Sequence, residues 1–229
     1  MKPEIIKIKD IEITVFRKRV KHPRLTIIVP LGKVRMSIPL NTPIEIAEAF
    51  AIKKYPWIKR HIGLFEKQGK KEFTTGEDHY FKGSRFIMQV IPAKRPKIEL
   101  KDEKYIYFYI PKNYTVEQKE KYYEKWLRKE LQRELEILVP KWEKIMGLRA
   151  NEVRIKKMKT RWGTCNIGAK RIWINLELIK RPTRLLEYII VHELAHLRER
   201  YHNDRFVTIL DKYMPNWRIY KKELREIIP

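Results

Sequence analysis

Two histidines and a glutamate stand close together at positions 192–196, in the pattern His-Glu-x-x-His. On a helix, His192 and His196 lie one turn apart on the same face, so both imidazoles can bind one metal ion. Glu193 is turned from His192 by about 100°, which places it beside the metal without making it a ligand. There it can accept a proton from a water molecule that the metal activates. The motif therefore predicts a zinc-dependent hydrolase in which Glu193 is the general base.

The motif lies in an apolar stretch, which predicts a largely buried helix. The apolar neighbours are Leu185, Leu186, Ile189, Ile190, Leu194 and Leu197. Buried histidines need a metal ion or other hydrogen-bond partners, so a chance match with core histidines is the alternative. In a chain of this length such a match is expected on the order of one time in a hundred, which favours the metal.

A catalytic zinc ion usually has three protein ligands, so a third is needed besides the two helical histidines. His202 follows His196 by six residues, and a turn after Glu199 would return it to the metal. This is the ligand spacing of metzincin peptidases, but their motif has a glycine where this chain has Glu199, so it is not a metzincin sequence. Three downstream carboxylates compete with His202 as the third ligand: Asp204, Asp211 and Glu223.

The elements that must position these residues divide into two parts, and together they predict an α+β fold. Residues 1–111 read as a β-rich N-terminal domain with one helical insertion, and residues 112–229 as a mainly helical metal-binding domain with a small sheet. The sequence shows no internal repeat. A capping box at Thr115 begins the first long helix of the second part, and Gly147 ends the helical region.

Prolines and caps set the expected element boundaries. Pro56 is expected to break the helix of the first part, and Pro140 to interrupt the long helix of the second. The motif helix is expected to run from Pro182 to about Glu199. Asn203 can cap a further helix.

Composition places the chain among basic proteins. It has 229 residues, a formal net charge of +24 and 35% charged residues, a balance typical of thermophile proteins. Cys165 is the only cysteine, which fits a reducing compartment. The N-terminus does not resemble a signal peptide and no apolar stretch approaches ~18 residues, so a cytoplasmic protein that does not span a membrane is expected. The oligomeric state does not follow from the sequence.

Several motifs in the C-terminal half occur in an order that resembles a known family. Met158–Cys165 reads Met-Lys-Thr-Arg-Trp-Gly-Thr-Cys, and Glu187–Leu197 contains the histidine motif. They are accompanied by Ile174, Asn175, Leu178 and Pro182 and followed by His202, Phe206, Pro215 and Trp217. This order resembles the YgjP-like metallopeptidases, relatives of the Wlm and SprT-like zincins. Weaker likeness at Phe16–Arg19 and Tyr55–Ile58 extends the resemblance over nearly the whole chain.

The resemblance implies a zincin-like fold with zinc held by His192, His196 and His202. It also implies a strand edge beside the metal-binding helix that pairs with an extended peptide substrate. Arg171–Ile174 or Arg161–Cys165 would supply that edge. Thr164 stands where the family often has serine, and the resemblance leaves the substrate open.

Other residues near the motifs have competing interpretations. Arg161 could bind a substrate carboxylate or phosphate, or form an ion pair that fixes its strand. Trp162 is interpreted as a packing residue. Cys165 is interpreted in the same way, because a thiolate beside three histidines would close the site to water. Tyr201, Tyr213 and Arg161 are candidates for contacting the oxyanion that forms during hydrolysis.

Three functions remain open at this point. Hydrolysis of a peptide or protein is the first. A metal-dependent phosphohydrolase acting on nucleotides is the second, although no glycine-rich phosphate loop is visible. The third is a nucleic-acid-associated protease, which would be favoured if the basic residues of the N-terminal strands share one sheet face and weakened if they alternate. Those residues are Arg17, Lys18, Arg19, Lys21, Arg24, Lys33 and Arg35.

Overall fold

The computed structural model describes residues 3–28, 33–68 and 71–225. The chain forms two compact units, Met1–Lys71 and Glu72–Pro229. Both combine helices with small mixed sheets, so the predicted α+β class is confirmed. Among the described helices, two exceed 18 residues, and neither contains an apolar stretch of membrane-spanning length.

The first unit is one four-stranded sheet followed by one long helix. Its strands pair in the order β1-β2-β4-β3, with β2 and β4 parallel and the outer pairs antiparallel. The elements are β1 (Glu4–Ile8), β2 (Ile11–Lys18), β3 (Arg24–Ile28), β4 (Lys33–Pro39) and α1 (Ile44–Gln68). The predicted third strand included Val29, which lies outside the described residues.

Alternating side chains of this sheet form the core of the first unit. Ile13 and Met36 on the inner face are buried with Ala47, Ala51 and Ile58 of α1. The predicted break at Pro56 is wrong, since α1 continues through it. Burial of Ile58 beyond the proline stabilises the second half of the helix and offsets the hydrogen bond that proline cannot donate.

The opposite face of this sheet carries a cluster of cations. Lys18, Arg24, Lys33 and Arg35 are exposed at alternate positions that share this face by strand register. Lys18 and Arg35 each lie 5.5 Å from the centre of the Phe16 ring. Four of the seven basic residues considered above therefore share one face.

The other three basic residues do not join this face. Arg17 lies at a position of the other sheet face, and its Nε donates to Oε1 of Glu4 at 2.9 Å. Arg19 and Lys21 lie in the turn after β2.

The second unit begins with another four-stranded sheet and a long helix. The sheet order is β5-β6-β8-β7. As in the first sheet, the two central strands, β6 and β8, are parallel and the outer pairs are antiparallel. Its elements are β5 (Asp78–Phe81), β6 (Ser84–Pro92), β7 (Lys97–Lys101), β8 (Tyr105–Ile110) and α2 (Val116–Met146). The chain thus forms the same four-strand-and-helix topology twice, although its sequence shows no repeat.

A three-stranded sheet and three helices complete the second unit. The sheet order is β10-β11-β9, with β10 antiparallel and β9 parallel to the central strand. The elements are β9 (Glu152–Lys156), β10 (Gly163–Asn166), β11 (Arg171–Asn175), a 3-10 helix (Leu176–Lys180), α3 (Thr183–Ala195), α4 (Asp204–Tyr213) and α5 (Trp217–Arg225).

Helix α2 connects the two sheets of this unit through one shared core. Thr115 forms the predicted capping box with Gln118, and Gly147 ends the helix in the left-handed conformation at φ 61°. The predicted interruption at Pro140 is wrong, because buried Leu138, Val139 and Trp142 keep both sides of the proline packed.

The predicted domain boundary after residue 111 differs from the division into compact units at Lys71 and Glu72. The physical reason is the core: Phe86 and Phe108 of the second sheet belong to the same buried cluster as Leu131 of α2 and Ile190 of α3. Domains at 1–111 and 112–229 therefore stay a prediction about independent folding.

Candidate metal centre

Helix α3 holds the histidine motif inside the core of the second unit. Leu185, Val191 and Leu194 of this helix are completely buried. The helix ends at Ala195 rather than at the expected Glu199. His196 nevertheless keeps helical backbone angles (φ −64°, ψ −19°), so it stays one turn from His192. The centres of the two imidazole rings are 5.0 Å apart.

The chain reverses immediately after His196 and returns His202 to the same place. The Nδ1–H of His196 donates to the carbonyl oxygen of Glu199 at 3.0 Å, and the Tyr201 amide donates to the Glu199 carboxylate at 3.1 Å. Glu199 does not adopt a positive φ, so the turn requires no glycine there. Asn203 then caps α4 by accepting from the Phe206 amide, as the sequence predicted.

Three imidazoles converge at this point. Nε2 of His202 lies 3.1 Å from Nε2 of His192, and one ring nitrogen from each of His192, His196 and His202 lies within 4.8 Å of the others. Tetrahedral zinc with bonds of about 2.0–2.1 Å places neighbouring nitrogens about 3.3 Å apart, so this donor set fits such an ion. No other group of three metal-binding side chains occurs in the described ranges 3–28, 33–68 and 71–225.

The carboxylates that competed with His202 are not part of the cluster. Asp211 accepts from the Trp217 indole at 2.8 Å and pairs with Arg218. Glu223 pairs with Arg184 at 2.8 Å. Asp204 lies in the first turn of α4, outside the group of convergent ligand atoms.

Burial keeps the three imidazoles neutral, as metal ligands must be. It lowers the pKa of His192 to about 3, with smaller contributions from His196 and His202. Burial also lowers the pKa of His196 and His202. Because the Nδ1–H of His196 donates to a carbonyl oxygen, Nε2 is the ring nitrogen that could bind a metal ion. Nδ1 of His192 is buried with no hydrogen-bond partner among the residues that the structure describes.

A phenylalanine that the motif analysis did not assign packs against all three histidines. The ring of Phe206 on α4 is 5.0 Å from that of His192 and 4.7 Å from those of His196 and His202. Phe206 is fully buried, so it forms an apolar wall behind the donor set. Such an apolar wall limits solvent access to a metal site.

Glu193 lies beside this donor set and is only 4% exposed. Burial raises its pKa to about 8, and the positive charge of Arg161 opposes that rise. The Glu193 side chain occupies the space that a Cβ atom at position 163 would need. A Cβ on Gly163 would lie 2.6 Å from Oε1 of Glu193 and 2.8 Å from its Cγ.

Strand β10 is an edge strand, and it contacts α3. The Asn175 amide donates to the carbonyl of Trp162 at 2.9 Å, which marks these two residues as a hydrogen-bonded pair. Pairs alternate along an antiparallel ladder, so the N–H and C=O groups of Gly163 and Cys165 point away from β11. Of the two predicted edges, the segment at Arg161–Cys165 is therefore the one whose outward backbone groups have no strand partner in the described part of the chain.

Asn175 fixes the approach to this edge. It is fully buried, and its side-chain amide donates to the carbonyls of Met158 and Arg161 at 2.8 Å each. Its Oδ1 accepts from the amides of Met158 and Glu177 at 3.2 Å each. All four hydrogen-bonding capacities of the side chain are used, so residues 158–161 are held in one conformation.

A cleft of about 430 Å³ opens beside His192 and Glu193. Arg161 lines it, but two other residues that the sequence suggested for the oxyanion do not. Tyr201 is 65% exposed, and Tyr213 packs against the core. Tyr188, Lys221 and Arg225 also line the cleft, although no role at the site was predicted for them. The amphipathic pattern of α5 was the available signal for Lys221 and Arg225.

The two remaining candidates are close to the site. Trp162 lines the cleft and packs against the core, with the Arg181 guanidinium 6.0 Å from its ring. Burial and the nearby Glu193 raise the pKa of the Cys165 thiol to about 11, so it stays protonated at neutral pH. Cys165 does not belong to the group of convergent ligand atoms, which consists of His192, His196 and His202.

Comparison with known proteins identifies the family. Residues 23–227 match the model of the YgjP-like metallopeptidase domain. Two metallopeptidase zymogens of known structure are similar to part of the chain. Abylysin of Pyrococcus abyssi has 23% identity and a TM-score of 0.37, and the match covers 39% of this chain and 90% of that one.

Jannalysin of Methanocaldococcus jannaschii has 20% identity and a TM-score of 0.36, with 40% of this chain and 94% of that one covered. No curated protein matches the chain. None of these matches supports a nucleotide or a nucleic acid as a partner. The family match spans most of the chain, which therefore belongs to the YgjP-like metallopeptidases, a family of metal-dependent hydrolases.

Proposed function

We propose that this protein is a zinc peptidase in which His192, His196 and His202 hold the ion and Glu193 is the general base. The observation that carries the proposal is the convergence of three neutral imidazoles beside one buried carboxyl group. Three protein ligands leave a position open on a tetrahedral ion, which distinguishes a catalytic site from a structural one. Zinc bound there would polarise the substrate carbonyl and increase the acidity of water.

The residues of the chain have separate roles in this proposal. Glu193 accepts the proton of the attacking water and delivers it to the leaving amine. A bound divalent cation would favour the ionised form of its carboxyl group, which burial alone disfavours. Arg161 lines the cleft beside Glu193 and is the candidate for contacting the developing oxyanion.

The free edge of β10 is the proposed binding place for the peptide backbone. An extended chain can pair with an exposed strand edge through main-chain hydrogen bonds. Gly163 and Cys165 supply the outward N–H and C=O groups, and Gly163 also lines the cleft. The scissile bond would then lie next to Glu193.

The test measures zinc content, melting temperature and peptide turnover on one preparation each of wild type and Glu193→Gln. Gln is nearly isosteric and is not a proposed ligand, so zinc and fold should be retained. Turnover should fall by about 10²–10⁴-fold, because the amide cannot accept the proton. Loss of zinc would make Glu193 a ligand, and unchanged turnover would place the activity elsewhere.

The clustered cations of the first sheet favour one second candidate, a peptidase that also associates with nucleic acid. Lys18, Arg24, Lys33 and Arg35 share an exposed face with the aromatic ring of Phe16. Such faces bind phosphate groups in a salt-dependent manner. Binding of labelled single-stranded DNA should weaken in Lys33→Glu/Arg35→Glu but not in the control Lys53→Glu/Lys54→Glu on α1. Equal weakening in both would indicate only an effect of net charge.

A further inference from the structure

In the part of the chain that the structure describes, the cleft beside His192 is lined by three cations and one carboxyl group. Arg161 enters it from the segment before β10, and Lys221 and Arg225 enter it from α5. Lys221 and Arg225 are four residues apart, so they lie on the same face of that helix. Among the residues that the structure describes, Glu193 is the only acidic one that lines the cleft.

These three cations form no close ion pair within the described part of the chain, although the charge of Arg161 acts on Glu193. None of them occurs in an ion pair, whereas neighbouring cations do: Arg184 pairs with Glu223, and Arg218 with Asp211. The ammonium group of Lys221 lies 5.0 Å from the centre of the Trp217 ring, which leaves its charge unneutralised. Burial and the adjacent Arg225 and Arg218 lower the pKa of Lys221.

Like charges gathered in a partly buried cleft repel one another, and an anion bound between them removes that repulsion. A metal ion in the adjacent site would add further positive charge. Arginine and lysine bind carboxylates through charge-assisted hydrogen bonds, which are about twice as strong as neutral ones. The cleft therefore fits a substrate that brings a negative charge.

We infer that Lys221 and Arg225, with Arg161, select peptides that carry a carboxylate close to the scissile bond. The inference rests on the proposed peptidase function and adds the substrate class. A peptide is favoured over a nucleotide because Gly163, whose N–H and C=O groups point away from β11, lines the same cleft. The carboxylate is either an acidic side chain or the C-terminus of the peptide.

The first experiment measures kcat/KM of the zinc-loaded full chain with quenched fluorescent peptides. Each position near the cleaved bond is occupied in turn by Glu, Gln or Lys, with the C-terminus amidated. At one position, kcat/KM for the peptide with Glu should exceed that for the peptide with Gln by roughly tenfold. A second pair of peptides without acidic side chains, one with a free C-terminus and one amidated, shows whether the terminal carboxylate is the recognised group.

The second experiment reverses the charges. Lys221→Glu/Arg225→Glu should abolish the preference for the carboxylate and favour Lys peptides. The control Lys212→Glu/Lys222→Glu changes the net charge equally at exposed positions outside the cleft, and it should keep the wild-type preference. An equal loss of preference in both double variants would overturn the inference, because it would show a long-range charge effect.

A binding measurement separates this inference from the peptidase proposal. Zinc-loaded Glu193→Gln should bind a labelled carboxylate peptide about tenfold more tightly than its amide counterpart. Equal binding overturns carboxylate recognition, and if wild type still cleaves peptides through Glu193, the peptidase proposal stands. Hydrolysis of a nucleoside triphosphate in place of every peptide, lost in Glu193→Gln, would overturn both.

Discussion

Glu193 shows at the residue scale how position changes the chemistry of an ordinary side chain. Folding removes its carboxyl group almost completely from water, next to three imidazoles that are themselves neutral. In the metal-free protein the group keeps its proton up to about pH 8, whereas in the unfolded chain it loses the proton above its ordinary pKa of 4.5. This difference makes the stability of the metal-free protein depend on pH.

The first prediction concerns that dependence. Between pH 4.5 and 8 the unfolded state binds fewer protons at this residue, so Glu193 reduces the free energy of unfolding as the pH rises. Glutamine does not titrate. Metal-free Glu193→Gln should therefore gain stability over metal-free wild type, by about 1–3 kcal/mol at pH 7 relative to pH 4.5. Urea unfolding at both pH values measures the free energy of unfolding of the two proteins. A difference between the proteins that is the same at both pH values would contradict the prediction.

The second prediction concerns Gly163, which leaves room for the Glu193 side chain. In Gly163→Ala the new methyl group would lie 2.6 Å from Oε1 of Glu193 and 2.8 Å from Cγ2 of Ile189, so the carboxyl group must move. Turnover should fall by about 10²-fold, because catalysis tolerates little displacement of the base. Zinc content should not change, since no ligand is displaced.

Gly168→Ala is the matched control for this substitution. Gly168 lies in the turn after β10, the strand that contains Gly163. A Cβ atom added to Gly168 would lie 3.7 Å from its nearest neighbour, the side chain of Asn166. The control should keep wild-type turnover. Equal losses in the two variants would show that the strand, and not Glu193, is affected.

Residue spacing alone predicts two of the three convergent imidazoles and the carboxyl group beside them, because His192, Glu193 and His196 are neighbours on one helix. Lys221 and Arg225 could not be assigned in the same way, since they reach the cleft only through the packing of α5 against α3. The oxyanion candidate Tyr201 illustrates the opposite error. It is close to His202 in sequence, but the turn directs it into solvent.

At the element scale, the turn between α3 and α4 completes the donor set. Its shape comes from hydrogen bonds to Glu199, through the carbonyl oxygen for His196 and the carboxylate for Tyr201. A sequence comparison with the metzincin motif emphasises the missing glycine at this position. The structure shows why none is needed, since a backbone of ordinary φ closes the turn.

The third prediction tests which residue this turn delivers to the metal. His202→Ala should weaken zinc binding by at least about a hundredfold and lower the melting temperature of the zinc-loaded protein, because metal binding adds to folding stability. Competition with a chelator measures the affinity. Asp204→Ala and Glu223→Ala are the controls and should bind zinc normally. The ligand assignment fails if His202→Ala keeps full affinity while either control loses it.

The elements themselves were largely predictable, and their ends were not. Alternating strands and the capping box at Thr115 follow from local rules. Pro56 and Pro140 were expected to break their helices. Both helices continue instead, because burial on both sides of each proline outweighs one missing hydrogen bond. Such burial is decided by tertiary packing, which periodicity does not report.

At the scale of the whole molecule, the chain consists of two compact units with separate cores. The sequence suggested a boundary at residue 111 because strands give way to helices there. The second sheet nevertheless shares its core with α2 and α3. A change in secondary structure is therefore a poor marker of where a core ends.

The fourth prediction concerns this boundary. A fragment of residues 72–229 should fold cooperatively and bind zinc, because it contains the complete second core. A fragment of residues 112–229 should not, since it lacks Phe86, Met88 and Phe108, each of which contributes about 1.5–3 kcal/mol when buried. Circular dichroism melting and zinc content check both fragments. Stable folding of residues 112–229 would instead support the predicted boundary at 111.

The end of α3 at Ala195 has a consequence for how a bound metal would leave. His192 belongs to the buried helix, whereas His196 is the C-cap that follows its last residue and His202 follows an exposed turn. Helix ends and turns open locally at a much smaller free energy than global unfolding requires. Zinc release should therefore proceed through transient opening of residues 196–202, and hydrogen exchange of these amides should slow on zinc binding. Denaturant too dilute to unfold the protein would then leave the dissociation rate of zinc almost unchanged.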